Sequence, residues 1–247
     1  MHATPIRYTA VPSASLARWC AALCLVFGGA SAAQAGGLVR AAWFPDAPNI
    51  TRFTWEGEPC DGCAPLAPHS EWKAMAVLAG LGDTRFLLAP GEGNGQAWSA
   101  VPNVVVLSPS ALKLPDCQLA FVVGHELVHI AQRHFDEDAR ALLALSGKPE
   151  AWTQTGEAAM GMLDGNFSLV LRMSPTWQQQ EQEADWVGSL LAAQACGCRL
   201  EQGALSYLGE DSEYGGGPGS AHEANARRIT RLKAFVESAK KLSSRVH

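Results

Sequence analysis

The sequence predicts an α+β fold in a single domain, with a small sheet first and a mostly helical half after it. Three observations carry that expectation. Up to residue 107, short apolar or β-branched runs alternate with turns rich in Pro and Gly, the signature of short strands. Beyond Pro115, apolar residues recur at helical spacing and are punctuated by capping residues. Between the two lies residues 119–134, LAFVVGHELVHIAQRH, an almost wholly apolar run that reads as a buried helix. No internal repeat is present.

In chain order, residues 36–55 read as two short strands, LVRAAW and TRFTW, broken by Pro45 and Pro48. Residues 58–68 form a loop rich in Pro and Cys, and Ser70 reads as the N-cap of a helix to about Leu81. Residues 85–89 are a strand and 91–95 a glycine-rich turn. Two extended segments follow, 96–101 and 103–107. The second holds the run VVVL, which fits either a buried core strand or an edge strand open to an extended peptide. Asp116, after Pro115, is placed to cap the apolar helix.

Residues 136–145 continue as a shorter helix, ended by Lys148-Pro149, and 150–173 are helical in composition, weakened by Gly161 and Gly165. Ser174-Pro175 has the form of a helix start, a cap followed by Pro, for a helix to about Ala195 that Gly197 ends. Residues 200–208 are a short helix and 209–219 a glycine-rich loop. Ser220-x-x-Glu223 reads as a capping box opening a last amphipathic helix, with Ile229, Leu232, Phe235, Val236 and Leu242 on one face.

Residues 1–35 look like a secretory signal. Arg7 and Arg18 are their only charges, an apolar core spans 19–30, and Ala33-Gln34-Ala35 is a small-x-small cleavage site. The expectation is an exported protein, periplasmic or secreted, with residues 36–247 as one domain. An uncleaved membrane anchor is the competing reading. Removing Arg7 and Arg18 takes the net charge from −5 to −7, so no basic surface is expected for nucleic acid. No later apolar run reaches the ~20 residues of a membrane span. Five cysteines then remain: Cys60, Cys63, Cys117, Cys196 and Cys198. Disulfides with one thiol left over are the default in an oxidising compartment. A structural zinc between Cys60/Cys63 and Cys196/Cys198 is the alternative, though the C-x-C half is poorly spaced for it. The pattern does not set the oligomeric state.

The apolar helix carries the chemistry. His125 and His129 are four apart and share one face, so two imidazoles can hold one metal ion from the same side. Glu126 points about 100° further round, where it can reach a water at the open position rather than the metal. That is the arrangement of a zinc hydrolase. A third ligand is required. The best source is Glu181-Gln182-Glu183-Ala184-Asp185. Glu181 and Asp185 share a face, so Glu181 can bind the metal while Asp185 accepts the free ring N–H of a ligand histidine. Glu183, two residues from each, points elsewhere. Taken alone, these three acids would be a solvated helix face.

H-E-x-x-H followed by E-x-x-x-D resembles the zinc metallopeptidases of the HtpX and CAAX prenyl protease type. Three further features extend the resemblance. His134 fills the last place of H-E-x-x-H-x-x-x-x-H. Gln96-Ala97-Trp98-Ser99-Ala100-Val101-Pro102 precedes a β run where the family has N-A-x-A-x-P, with Gln for Asn. His222 is followed by Arg228-Ile229 at the family's spacing, with Glu223 where the family has Pro. The match covers roughly residues 95–235, leaving 36–94 as an N-terminal part without a counterpart, and it lacks the membrane-spanning helices of many relatives.

The resemblance implies a zincin-like (gluzincin) domain, one Zn2+ per chain held by His125, His129 and Glu181, and peptide hydrolysis with Glu126 as general base. Asp185 would orient a ligand, and His222, expected in the first turn of the capped last helix, would contact the oxyanion or gate the metal. Arg228 would pair with Glu181, Asp185 or substrate, or lie on the surface. Five residues from His129, His134 lies about 140° off the ligand face on a continuing helix and would act at the helix end or behind a ligand; His69 is expected in solvent. Substrates would be proteins or peptides, unfolded envelope proteins among them. Two rival readings are a non-proteolytic, chaperone-like zinc protein and a latent peptidase closed by His222.

Overall fold

A computed structural model describes residues 52–91, 96–147, 155–210, 216–217 and 219–243. The signal segment and LVRAAW therefore fall outside the described residues. The fold is the expected α+β one, mostly helical with one four-stranded sheet. Strands β1 (Ala64–Pro65), β2 (Arg85–Leu88), β3 (Ala97–Ala100) and β4 (Val104–Leu107) lie in the order β1-β2-β4-β3, with β2 and β4 parallel and both outer pairs antiparallel. All four residues of β4 are fully buried, as a continuous β-branched run should be when a strand is covered on both faces. VVVL is thus central, and the edge reading of it is wrong. Among the described residues the sheet ends beyond β4 at β3, which packs beside the helix of the histidine motif.

The N-cap position of helix α1 (Ser70–Leu78) is His69, not Ser70, and no side chain caps it. The long apolar run becomes α2 (Asp116–Gln132), whose N-cap is Pro115 with no side-chain cap from Asp116. Arg133 ends it in the left-handed conformation (φ 61°), and α3 (His134–Ser146) departs in a new direction. The short α4 (Gly156–Met160) and a 3-10 turn at Gly161–Leu163 lead to α5 (Phe167–Cys196). The last two helices are α6 (Ala204–Glu210) and α7 (Asn225–Ser243).

Four further expectations fail for identifiable reasons. TRFTW forms no strand over residues 52–55. Its backbone and indole N–H groups are taken instead by Asp136, which accepts from Phe53 N and Trp55 Nε1 at 3.0 and 3.1 Å. Pro175 does not start a helix. The helix begins eight residues earlier at a true cap, where the Asn166 side chain accepts from Leu169 N, and buried Leu169 and Met173 carry it through the proline. Ser174, read as the cap, donates its hydroxyl to the Ser220 carbonyl at 2.9 Å. Ser220 and Glu223 form no capping box, because α7 starts only at Asn225 and Glu223 pairs with Arg231 at 2.8 Å.

The core is the contact between α2 and α5. Leu119, Val123, Leu127 and Val128 of α2 meet Ala184, Val187 and Leu191 of α5, with α1 and the sheet closing the other side. The crossing is unusually close. A methyl group on Gly124 would lie 2.7 Å from the Gly188 carbonyl oxygen, and one on Gly188 would lie 2.6 Å from the His125 nitrogen. Only a glycine pair lets these backbones touch. Among the described residues the cysteines are disulfide-linked as Cys60–Cys63 and Cys117–Cys198, leaving Cys196 as the free thiol; with Cys198 paired to Cys117, the four-cysteine zinc site does not form. Cys117–Cys198 ties the first turn of α2 to the chain just beyond α5.

Candidate metal centre

The glycine contact sets Glu181 of α5 opposite His125 and His129 of α2. His125 Nε2 lies 3.3 Å from Glu181 Oε2, His129 Nε2 lies 3.3 Å from Glu181 Oε1, and the two ring nitrogens are 3.1 Å apart. One donor atom from each lies within 4.8 Å of the others. His125 and Glu181 are buried and His129 is half-buried. Two imidazole nitrogens facing each other beside a carboxylate form an arrangement of three lone-pair donors around one point. It fits a cation between them, and two nitrogens with one oxygen is a donor set suited to zinc with a fourth position open.

Each ligand candidate is supported from behind. His125 Nδ1 faces Asp185 Oδ1 at 3.2 Å. Asp185 is in turn clamped by Arg228, whose Nε and a terminal nitrogen donate to its two oxygens at 2.8 and 2.6 Å. Arg228 also lies 3.6 Å from Glu181. Sequence reasoning left it open whether this arginine was a surface residue; it is 8% exposed and part of the site. A bidentate arginine holds a carboxylate in one orientation. His129 Nδ1 faces His134 Nδ1 at 2.9 Å, so His134 stands behind a ligand candidate. It does so from the start of α3, because α2 has already ended, and not from the continuing helix the sequence suggested. Glu183, expected to point away, lies 3.7 Å from His134 Nε2 at the rim of the site.

Charge and burial oppose each other here. For Glu181, burial pushes the pKa up, but the His125 charge and hydrogen bonds from His125, His129 and His222 hold it well below the usual carboxylate range. Asp185 is likewise held low against burial, chiefly by Arg228. Burial pulls His125 down, yet Glu181 and Asp185 together raise it to about 10. Burial dominates His134 and lowers it, so that ring is neutral at physiological pH.

His222 is partly exposed and approaches from the loop before α7, its Nδ1 2.7 Å from Glu181 Oε2; it is not in the helix. Glu126 is half-buried on α2, next to His125. His69 is exposed as expected, stacked on Trp72. The Gly124–Gly188 pair is the feature that sequence reading missed. Its signal was two glycines set inside otherwise strong helical stretches, Gly124 directly before His125 and Gly188 three residues after Asp185.

The profile of peptidase family M48 matches residues 69–236. The chain belongs to peptidase family M48. No curated protein and no solved structure is matched. The M48 assignment makes the chain a metallopeptidase by family and accounts for the two-helix site, while residues 52–68 lie outside the match. Among the described residues no helix is long and apolar enough to cross a membrane.

Proposed function

We propose that this M48 member is a zinc-dependent endopeptidase acting on exported proteins, unfolded envelope proteins among them, in the periplasm or outside the cell. The observation that supports it most is the convergence of His125, His129 and Glu181 from two helices held at backbone contact. These three side chains would hold one Zn2+, which when bound supplies a Lewis acid that makes a water nucleophilic near neutral pH and polarises a carbonyl. Asp185 and Arg228 keep the His125 ring turned toward the site. Glu126 takes the proton of the attacking water and delivers it to the leaving amine. An extended substrate would pair with the edge of β3 beside α2. The disulfides and the apolar N-terminal segment support export.

The test is Glu126→Gln. The variant keeps zinc at the wild-type stoichiometry and loses cleavage of an unfolded test protein by at least 100-fold, the usual contribution of a general base. Cleavage at the wild-type rate would show that Glu126 is not the base. Zinc binding without turnover on any unfolded substrate would favour the chaperone-like reading. One observation favours a latent form: His222 sits on a ligand carboxylate. In that case His222→Ala cleaves faster than wild type.

A further inference from the structure

His129 and His125 are backed by different chemistry. Behind His125 stands a carboxylate fixed by an arginine; behind His129 stands a second imidazole. His134 is 3% exposed, and its ring lies nearly perpendicular to that of His129, 82° and 4.8 Å between centroids. Two imidazole nitrogens 2.9 Å apart share one proton. Which ring owns it follows from the metal site: a His129 that offers the lone pair of Nε2 must carry its proton on Nδ1 and donate it. His134 must then accept at Nδ1 and carry its own proton on Nε2. That atom lies 3.7 Å from Glu183 Oε2, beyond hydrogen-bond length, and has no hydrogen-bond partner among the described residues.

We infer that His134 is a positioning residue that fixes the tautomer and ring orientation of His129, with the Glu183 carboxylate as the charge that faces the back of the His134 ring. The chain takes trouble to put it there. Arg133 adopts a left-handed conformation to end α2 and start α3. Its guanidinium is held by Asp136 Oδ2 at 2.8 and 2.6 Å. The other oxygen of Asp136 accepts from Phe53 and Trp55, in the segment preceding the family match. The junction between the two histidines is therefore braced from outside the family domain. His134 acts on metal affinity through His129, and the inference rests on the metal-site reading above.

The experiment uses the full chain with zinc alone as the probe, its affinity read by competition with a chromogenic chelator. His134→Phe fills the volume but cannot accept a hydrogen bond, and should lose about 10- to 100-fold in affinity, the usual effect of removing such a partner. His134→Asn places an acceptor oxygen near the position of Nδ1 and should recover most of that loss. Nitrogen NMR of the zinc-loaded wild type should show a proton on His129 Nδ1 and none on His134 Nδ1, a readout that depends on no variant folding. Wild-type affinity in His134→Phe, or a proton on His134 Nδ1, overturns the inference and leaves the metal site standing. A wild-type chain that takes up no zinc overturns both.

Discussion

Gly188→Ala tests the idea that backbone contact between α2 and α5 builds the metal site. The added methyl would stand 2.6 Å from the His125 nitrogen and 2.9 Å from its Cα. A carbon needs about 3.5–4.0 Å from such neighbours. The nearest atoms belong to helix backbone and cannot swing aside, so the helices must separate by roughly 1 Å. Overpacking of this kind costs about 1–3 kcal/mol. The site suffers more than the fold. Metal-ligand distances tolerate about 0.2 Å, and Glu181 reaches the histidines from the helix that is displaced. Thermal denaturation and zinc competition, measured on the same preparation, separate the two effects. The variant should melt several degrees lower and bind zinc at least tenfold more weakly. A Gly188→Ala protein with wild-type melting temperature and zinc affinity would refute the claim that the contact sets the site.

Three further outcomes are expected. Removing zinc with a chelator should leave His125 protonated, since Glu181 and Asp185 raise it to about 10 against burial; reloading at pH 7 should therefore release a proton, seen as a dependence of binding enthalpy on the ionisation enthalpy of the buffer. In the metal-free protein the stability from that protonated ring is fully present below ~6.5 and lost as pH rises through about 10. Asp138 is pushed up to about 7 by burial, with the Gln180 hydrogen bond opposing. An acid raised on folding costs stability as pH climbs from ~4 to 7, so Asp138→Asn should stabilise the protein at pH 8 but not at pH 4, by denaturant titration. A Cys117→Ser/Cys198→Ser protein, which loses the disulfide that closes a loop of separation 81 and keeps Cys60–Cys63, should be less stable by roughly 4–5 kcal/mol of loop entropy, read as a lowered melting temperature.

Most of the site was legible because its residues obey helical spacing. His125 with His129, and Glu181 with Asp185, each share a face by being four apart, and tertiary structure only had to bring two faces together. What stayed hidden depended on chain direction or on approach distance. His134 is misplaced by any reading that prolongs the helix, because nothing in Gln132-Arg133-His134 announces a left-handed arginine, a conformation usually left to Gly or Asn. Pro175 imitates a helix start; the real one is Asn166, eight residues of helix before the Ser174 that imitates its cap. The closeness of α2 and α5 is written in Gly124 and Gly188, but a glycine in a helical stretch signals weakness in one sequence and contact in another. Only the neighbour decides.

The three acids of α5 make the functional argument by their different neighbours. Glu181, Glu183 and Asp185 follow one another at intervals of two, yet each meets a different ring nitrogen environment: Glu181 the paired Nε2 atoms of His125 and His129, Asp185 the Nδ1 of His125, Glu183 the Nε2 side of His134. Arg228 neutralises Asp185. Without metal, Glu181 is balanced by the protonated His125 ring, since Arg228 is already committed to Asp185. A buried ion cluster of this kind is weak support for stability, since apolar residues of the same volume would serve as well or better. Its presence beside the Gly124–Gly188 helix contact follows if a divalent cation takes the place of the His125 proton. Replacing the trio His125, His129 and Glu181 by Leu, Leu and Met should then abolish zinc binding while leaving the metal-free melting temperature unchanged or raised; a large fall would mean that the cluster is there to hold the fold.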